Sequence, residues 1–437
     1  MMKKYILAGA FLATVTGAMA QNVNKLIDQK DVERVINTLA ADDMQGRATF
    51  TPGIEKAAKF IESEFTNIGL QPMEGSTTGY RQVWAMSRSM QGKTVVNINM
   101  SGVGSANVYV QASASFTWDS MDGVTIIKET SDKNLRADMR TFAASGKKTL
   151  VLIDPSFAAQ FKQMRDRAMA GGRMTATAKG GTAPAPIVYV LGPIEDVRSL
   201  EVTATIKSEE MPLFNVAGII PGKTKPDEYV VFSGHYDHLG IAKGMAPDSI
   251  FNGADDDASG TTAVIELAKY YKKLNNNART LIFVGFCAEE IGEFGSAHFA
   301  TTVNPDKVIA MFNIEMIGKP SKWGQNSAFI TGFERSDFGT ILQKNLEGTD
   351  FKFYPDPYTK ENLFYRSDNA SLARVGVPAH TITTDQIDID PDYHKVTDEV
   401  KTLDMANITA AIRAIALSSR TIVSGKDTPT RVAKLER

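Results

Sequence analysis

The strongest constraint on the fold is an alternation of apolar and amphipathic segments in the C-terminal half of the chain. From Asn215 onward, short apolar runs typical of buried strands alternate with loops and helical patterns. Residues 229–233 form such a run, and residues 262–274 place apolar side chains on one face of a predicted helix. Further strands are predicted at 280–286, at 308–314 and near Thr383. This alternation predicts an α/β domain with a mostly parallel central sheet flanked by helices.

The N-terminal half shows two other patterns. Residues 21–81 are mainly helical in pattern, whereas residues 82–207 consist of short β-rich runs separated by turn residues. A chain of 437 residues is long enough for two or three domains that each bury a core. We therefore predict a discontinuous main domain, 21–81 and 208–437, with a smaller, mostly β insertion at 82–207.

Residues 1–20 have the pattern of a secretory signal peptide. Two lysines precede an apolar run at 5–15, and small residues at 18 and 20 precede Gln21. The apolar run is too short to span a bilayer comfortably. We therefore expect export to the periplasm or the extracellular space, with no stable membrane insertion after cleavage.

The charge and cysteine content of the chain limit the partners and covalent links that can be expected. The 48 lysines and arginines nearly balance the 50 acidic residues, so no basic surface for nucleic acid is indicated. The chain contains one cysteine, Cys287, which excludes an intramolecular disulfide and is predicted to be a small core residue. Nothing in the sequence indicates an oligomeric state.

Candidate metal ligands follow the predicted strands. In open α/β sheets, ligands bind beyond the carboxyl ends of the strands, so such residues converge although they are distant in sequence. Two imidazoles and several carboxylates, without cysteine, are the nitrogen and oxygen ligands that zinc accepts. The number of these residues suggests two ions joined by a bridging carboxylate. The residues after the strands are His235, Asp237, Glu289, Glu290, Glu315 and His394.

The acidic loop at 252–260 is the predicted source of the bridge. Its glycines let the backbone approach a metal closely, and its aspartates precede a predicted helix. Of the five histidines, His235 and His394 are the predicted ligands. A structural role is predicted for His238, which could also line the site, and for His298 and His380.

Several motifs together resemble metallopeptidase family twenty-eight, the bacterial leucyl-type aminopeptidases and their relatives. The early sequence MQGRA at 44–48 and the helix ending at Gly69 also match the usual entry of that family. The insertion lies where many relatives carry a protease-associated domain, and it matches that module loosely. The motifs are GHYDHLG at 234–240, GADDDASG at 253–260, FVGFCAEE at 283–290, NIEMIG at 313–318 and DYHKVTD at 392–398.

The resemblance implies a ligand set for two zinc ions: His235, Asp255, Glu290, Glu315 and His394. In this set Asp255 bridges the ions, His235 and Glu315 complete one, and Glu290 and His394 complete the other. Glu289 is implied as the general base that takes a proton from the attacking water. Asp237 would accept the second ring N–H of His235 and hold its tautomer. The family commonly has aspartate where this chain has Glu315, which is longer by one methylene.

We therefore expect an exported di-zinc peptidase that releases N-terminal residues from oligopeptides through a water held between the metals. Carboxypeptidase or dipeptidase action on the same fold remains an alternative. A glutaminyl cyclase is less favoured because Tyr393 stands where those enzymes usually have tryptophan. An inactive binding protein is also less favoured, since every implied ligand position is occupied by a ligating residue type.

Overall fold

The computed structural model describes residues 23–171, 173–176, 185–242 and 244–435. The predicted signal peptide lies outside the described residues. The α-helices of the described residues include Gln29–Leu39, Pro52–Ile68, Leu135–Ala144, Ala158–Gly171, Gly260–Leu274, Phe294–Thr302, Phe338–Asn345, Asn369–Ala373, Met405–Ser418 and Arg420–Val423. Within the described ranges, no helix has the length and apolar character needed to cross a membrane.

The strands are numbered in chain order. The first nine are β1 (Gln71–Pro72), β2 (Arg81–Ile98), β3 (Ser101–Gly102), β4 (Val108–Gln111), β5 (Phe116–Trp118), β6 (Thr125–Glu129), β7 (Thr149–Ile153), β8 (Arg173–Ala176) and β9 (Ile187–Leu191). The others are β10 (Leu200–Ile220), β11 (Lys225–His235), β12 (Gly240–Ile241), β13 (Ile250–Phe251), β14 (Arg279–Phe286), β15 (Val308–Ile314), β16 (Ser327–Ile330), β17 (Lys352–Pro355) and β18 (Ala379–Thr383).

The chain divides into two compact units. The larger unit comprises the described residues up to Trp84 and those from Leu213 onward, and the smaller unit comprises the described residues between them. The boundaries predicted from the sequence were 82 and 207. Strands β2 and β10 each run without interruption through a boundary, so the local pattern of the sequence does not change where one unit ends.

The larger unit contains a mixed but mostly parallel sheet in the order β17-β16-β18-β15-β11-β14-β10. Strand β11 pairs in parallel with β14 and β15, and β15 pairs in parallel with β18. Strand β10 is antiparallel to β14, and β16 is antiparallel to β18. This topology confirms the predicted α/β class with a mostly parallel sheet.

The central strands are buried on both faces, which explains their continuous apolar sequences. All eight residues of β14 are buried. The Phe232 ring of β11 stacks on Phe283 of β14 and Phe312 of β15, with ring centroids 5.4 and 4.9 Å apart. The helix Gly260–Leu274 packs against β11 and β14 and covers one face of the sheet.

The order of the three central strands creates a crevice at one edge of the sheet. Strand β11 lies between β14 and β15, and both neighbours follow it in the chain. The main sheet therefore continues from β11 to β14 on one side and then crosses to β15 on the other, and such a reversal creates the switch point where α/β sheets bind ligands. His235 ends β11, Glu315 directly follows β15, and Glu289 lies in the loop that follows β14.

The smaller unit contains a four-stranded sheet in the order β4-β9-β7-β6. Strands β6 and β7 are parallel, β7 and β9 are parallel, and β4 and β9 are antiparallel. Its core includes Leu150, Val188 and Val202. Two helices that the sequence analysis did not predict, Leu135–Ala144 and Ala158–Gly171, also belong to this unit.

Candidate metal centre

His235 is held rigidly at the end of β11. Its main-chain N–H donates to Asp257 Oδ2 over 3.1 Å, and the Thr261 hydroxyl donates to its carbonyl over 2.7 Å. The ring Nδ1 donates to the carbonyl of Asp237 over 3.1 Å. The ring is 1% exposed. With Nδ1 protonated, Nε2 carries the lone pair that a metal requires.

Asp256 lies between the two predicted histidine ligands. Its Oδ1 is 3.1 Å from Nε2 of His235, and its Oδ2 is 3.2 Å from Nε2 of His394. The side chain is 3% exposed. Each oxygen of this carboxylate thus faces a different imidazole, which is the arrangement of a bridging ligand.

Two groups of donor atoms share Asp256. On one side, Glu315 Oε1 lies 3.9 Å from Nε2 of His235. On the other, Glu290 Oε2 lies 3.2 Å from Nε2 of His394. Ligands of one tetrahedral zinc ion are about 3.3 Å apart when the bonds are near 2.0 Å. The His235 Nε2 atom has no hydrogen-bond partner among the described residues. The donor set therefore fits metal ions.

Asp255 lies elsewhere, which corrects its predicted position as the bridge. Its Oδ1 accepts hydrogen bonds from the Gly318 N–H over 2.7 Å and from the Ser259 hydroxyl over 3.2 Å. The physical reason is the turn at 254–259, in which consecutive side chains leave the backbone in different directions. Asp257 points a third way, where Oδ1 accepts the N–H of Gly260 over 2.9 Å.

The role predicted for Asp237 is also corrected. Its carboxylate oxygen is 3.9 Å from His235 Nδ1, and its main-chain carbonyl makes the hydrogen bond to the ring instead. The carboxylate accepts the N–H groups of Glu289 and Glu290 over 3.1 and 3.4 Å. Burial raises the pKa of Asp237 to about 6, against the opposing effect of His235. Asp237 thus positions the two glutamates as well as the imidazole.

His238 belongs to the site, although the sequence analysis favoured a structural role for it. Its Nδ1 donates to Glu290 Oε1 over 2.7 Å, while the other oxygen of Glu290 faces His394. The signal that could have revealed it is its position one residue after Asp237 in the same loop. His238 therefore fixes the orientation of one predicted ligand.

Two further residues hold the acidic turn and were not assigned roles from the sequence. The buried Arg47 donates to the carbonyls of Tyr236, Asn252 and Gly253. The carboxylate of Asp398 accepts the N–H groups of Asp255 and Asp256 over 2.9 and 3.1 Å. Both residues lie within motifs that carried the family resemblance, and this was the available signal.

Gly253 is required by its backbone and by its surroundings. Its φ is +57°, and a Cβ atom would lie 2.5 Å from Cδ2 of the His238 ring. Any larger residue would therefore displace either the turn or the imidazole.

The site carries more acidic groups than its imidazoles neutralise. Burial raises the pKa of Glu289 well above its usual value, with Glu315 and Asp368 adding to the shift and His235 opposing it. Burial alone would lower the pKa of His394, but Asp256 and Glu290 raise it to about 10. Such an environment favours a bound cation.

A pocket opens beside Glu315. Its walls are largely apolar, with Arg366 and Asp385 also present. Tyr393 lies at the junction of pocket and metal ligands, because its ring stacks on His394 at 4.0 Å between centroids. The apolar walls come from Met316, Phe329, Leu363, Ile387 and Tyr393.

The other two histidines lie away from the site. His380 is buried in β18, where Nδ1 donates to the Thr331 carbonyl over 2.8 Å and Nε2 accepts from the Ser336 hydroxyl over 2.7 Å. The His298 ring stacks on Trp84 at 4.3 Å. Neither ring contributes to the donor groups around Asp256.

Residues 215–418 match the family model described as peptidase family M28. This segment of the chain belongs to peptidase family M28. The M28 segment contains every donor atom described around Asp256. The match confirms the family resemblance carried by the motifs.

Named relatives align with parts of the chain. A probable zinc metalloprotease of Pyricularia oryzae is 34% identical over 135 residues, which are 31% of this chain and 23% of that protein. A probable leucine aminopeptidase of Arthroderma otae is 29% identical over 202 residues, or 44% of this chain and 53% of that protein. The chain thus spans less than two thirds of either relative.

Solved structures share the fold over nearly the whole chain. An aminopeptidase from Aneurinibacillus sp. strain AM-1 is 16% identical with a TM-score of 0.54, and the match covers 95% of this chain and 97% of that one. A peptidase M28 precursor from Shewanella amazonensis is 16% identical with a TM-score of 0.52, covering 97% and 98%. At this identity the likeness establishes the M28 fold.

Proposed function

We propose that this chain is an exported aminopeptidase with two zinc ions per chain. The observation that carries the proposal is the position of Asp256, whose two oxygens face the His235 and His394 imidazoles at 3.1 and 3.2 Å. One carboxylate between two nitrogen donors is the arrangement expected for a pair of ions about 3.5 to 4 Å apart.

The residues divide into two ligand sets. His235 and Glu315 would hold one ion, His394 and Glu290 the other, and Asp256 would bridge them. Zinc in these positions would polarise the scissile carbonyl and would lower the pKa of a bound water to about 7. In this assignment Asp256 replaces Asp255 of the family-based expectation.

Glu289 is the proposed general base. Its main chain is fixed by Asp237, and its side chain shares the electrostatic environment of His235 and Glu315. As a carboxylate it would take a proton from the attacking water and pass it to the departing amine. Burial favours the protonated form of Glu289, which suits the second of these transfers.

The charge of the site supports cleavage at an N-terminus. A free α-amino group is cationic, and we place it beside this carboxylate-rich centre, in which Glu289 is the carboxylate outside the two ligand sets. A carboxypeptidase would need a cation for the substrate carboxylate. Arg366 at the pocket is the candidate for that role, but it already pairs with Glu361 at 3.2 Å. The apolar pocket walls favour an apolar terminal side chain.

A substrate panel tests the proposal directly. The purified mature chain would be given leucyl and lysyl chromogenic amides, the same amides with blocked N-termini, and peptides with a free C-terminus only. We expect hydrolysis of the unblocked leucyl substrate, loss of activity with a zinc chelator and recovery with added zinc. Cleavage of N-blocked peptides from the C-terminus would instead favour the carboxypeptidase alternative.

Export is tested separately by cell fractionation and N-terminal mapping. The small residues before Gln21 support cleavage at that position. We expect the protein to be found in the periplasm or medium with Gln21 as its first residue. An intact Met1 on protein retained in the cytoplasm would contradict this part of the proposal.

A further inference from the structure

A second acidic group lies on the other side of the turn that carries Asp256. It consists of Asp255, Asp385 and Asp390, each of which offers a carboxylate oxygen within 4.8 Å of the others. We call it the carboxylate group. None of its members belongs to the donor sets around Asp256.

The oxygens of the carboxylate group are buried and unsatisfied. Asp255 is 0% exposed and Asp385 is 4% exposed, and the Asp390 side chain is 2% exposed. Within the described ranges, Asp255 Oδ2, Asp390 Oδ2 and both oxygens of Asp385 lack a hydrogen-bond partner. Unpaired buried carboxylates are costly, so atoms aimed at one another in this way indicate a missing positive charge.

Lys319 supplies part of that charge. Its ammonium pairs with Asp390 Oδ1 and, over 3.0 Å, with Asp392 Oδ2. One ammonium is thus shared by two carboxylates, and neither Asp255 nor Asp385 has a comparable ion pair among the described residues. The negative charge that remains is sufficient for a divalent cation.

We propose that Asp255, Asp385 and Asp390 bind a third, hard divalent cation, with calcium as the best match. Oxygen-only ligands suit calcium, magnesium and manganese, whereas sites with imidazole suit zinc. Calcium takes 6 to 8 oxygens at 2.3 to 2.6 Å, so its ligands are about 3 to 5 Å apart, and water completes the shell. The separation of the three carboxylates falls in this range.

The position of the carboxylate group links this cation to the zinc ligands. Asp255 is joined to Asp256 by one peptide bond. Asp390 Oδ1 also accepts the N–H of Asp392, in the loop that leads to His394. A cation here would fix the turn of one zinc ligand and the loop of another, and is thus a structural support for the metal centre.

Equilibrium dialysis of the zinc-loaded protein against calcium, followed by elemental analysis, tests the proposal. We expect one calcium per chain in the wild type and in Asp388→Asn, an exposed aspartate of the same loop that serves as a matched control. Asp385→Asn and Asp390→Asn should each lose the calcium while they retain zinc. Calcium should also raise Tm of the wild type and the control by several degrees, but not that of Asp385→Asn.

Several outcomes would overturn the proposal. Absence of bound calcium in the wild type at millimolar concentration would mean that shared protons hold the carboxylates together. Equal calcium binding by Asp385→Asn would place the ion elsewhere. If Asp385→Asn impairs only the cleavage of lysyl substrates and binds calcium normally, Asp385 belongs to the substrate pocket. Because the calcium-binding and Tm measurements do not require hydrolysis by the wild type, their result is independent of the proposed function.

Discussion

Two acidic groups lie on opposite sides of one turn, and they differ in what completes them. Around Asp256, imidazoles face the carboxylates, and the donors are arranged in two sets. Around Asp255, carboxylates face one another with Lys319 as the nearby cation. Neighbouring aspartates in the same turn are therefore suited to different metal ions. Asp256 suits a borderline ion such as zinc, and Asp255 suits a hard ion such as calcium. The type of residue at each position matters less than the direction in which the turn points it.

The largest effect is expected for Glu289→Gln. This variant tests whether proton transfer can be lost while the donor groups around Asp256 still bind zinc. The variant should retain zinc but lose about 10² to 10⁴ in kcat, the usual contribution of a general base. Glu293→Gln, in the same loop and paired with Arg374, is the matched control and should keep its activity. Steady-state hydrolysis and zinc analysis of both variants would decide this. Equal activity of the two variants would remove Glu289 from the mechanism.

A smaller effect is expected for His238→Gln, which probes the asymmetry between the two zinc positions. His238 holds one oxygen of Glu290, and loss of such a supporting contact typically lowers metal affinity about 10- to 100-fold. We expect weaker binding of one ion and unchanged binding of the other in a zinc titration. Loss of both ions together would show that His238 supports the whole turn instead.

The Asp398→Asn variant tests whether the two acidic groups depend on the same supporting residue. Asp398 accepts the N–H groups of both Asp255 and Asp256, so it orients the turn for both sites. Loss of one charge-assisted hydrogen bond costs roughly 1.5 to 3 kcal/mol, or about 10- to 160-fold in affinity. Zinc and calcium affinities, measured by titration, should therefore fall together. A change in only one of them would mean that the groups do not share this support.

The last prediction concerns stability rather than metal binding, and it involves His380, a histidine outside both groups. Burial lowers its pKa to about 4, so the neutral form stabilises the fold fully above pH 6.5, the unfolded value. As the pH falls from 6.5 towards 4, the unfolded chain takes up the proton first, and up to about 3 kcal/mol of stability is lost. The free energies of unfolding of wild type and His380→Asn should therefore converge as the pH is lowered. Parallel curves would contradict the assigned pKa.

The sequence was sufficient to predict the elements that position the site. Strands β14 and β15 and the apolar segment of β11 at 230–232 are buried on both faces, and such continuous apolar runs can be recognised without a structure. Strands β16 and β17, of four residues each, were too short to stand out. The helices of the smaller unit were missed because the surrounding segment is dominated by strand-like sequence.

The candidate site could be predicted in composition but not in detail. His235, Glu290, Glu315 and His394 are brought together as expected, because each lies directly after a strand or in a marked loop. The choice between Asp255 and Asp256 could not be made, since identical residues in a turn differ only in backbone direction. The choice between the carboxylate and the carbonyl of Asp237 depends on the same kind of geometry.

The most direct test of the account is the zinc content of Asp256→Asn and Asp255→Asn, purified without chelator and analysed beside the wild type. We predict two zinc ions per chain in the wild type, loss of both in Asp256→Asn because the shared ligand is removed, and two in Asp255→Asn. Retention of both ions by Asp256→Asn, with loss from Asp255→Asn, would contradict the assignment of the bridge and the distinction between the two groups.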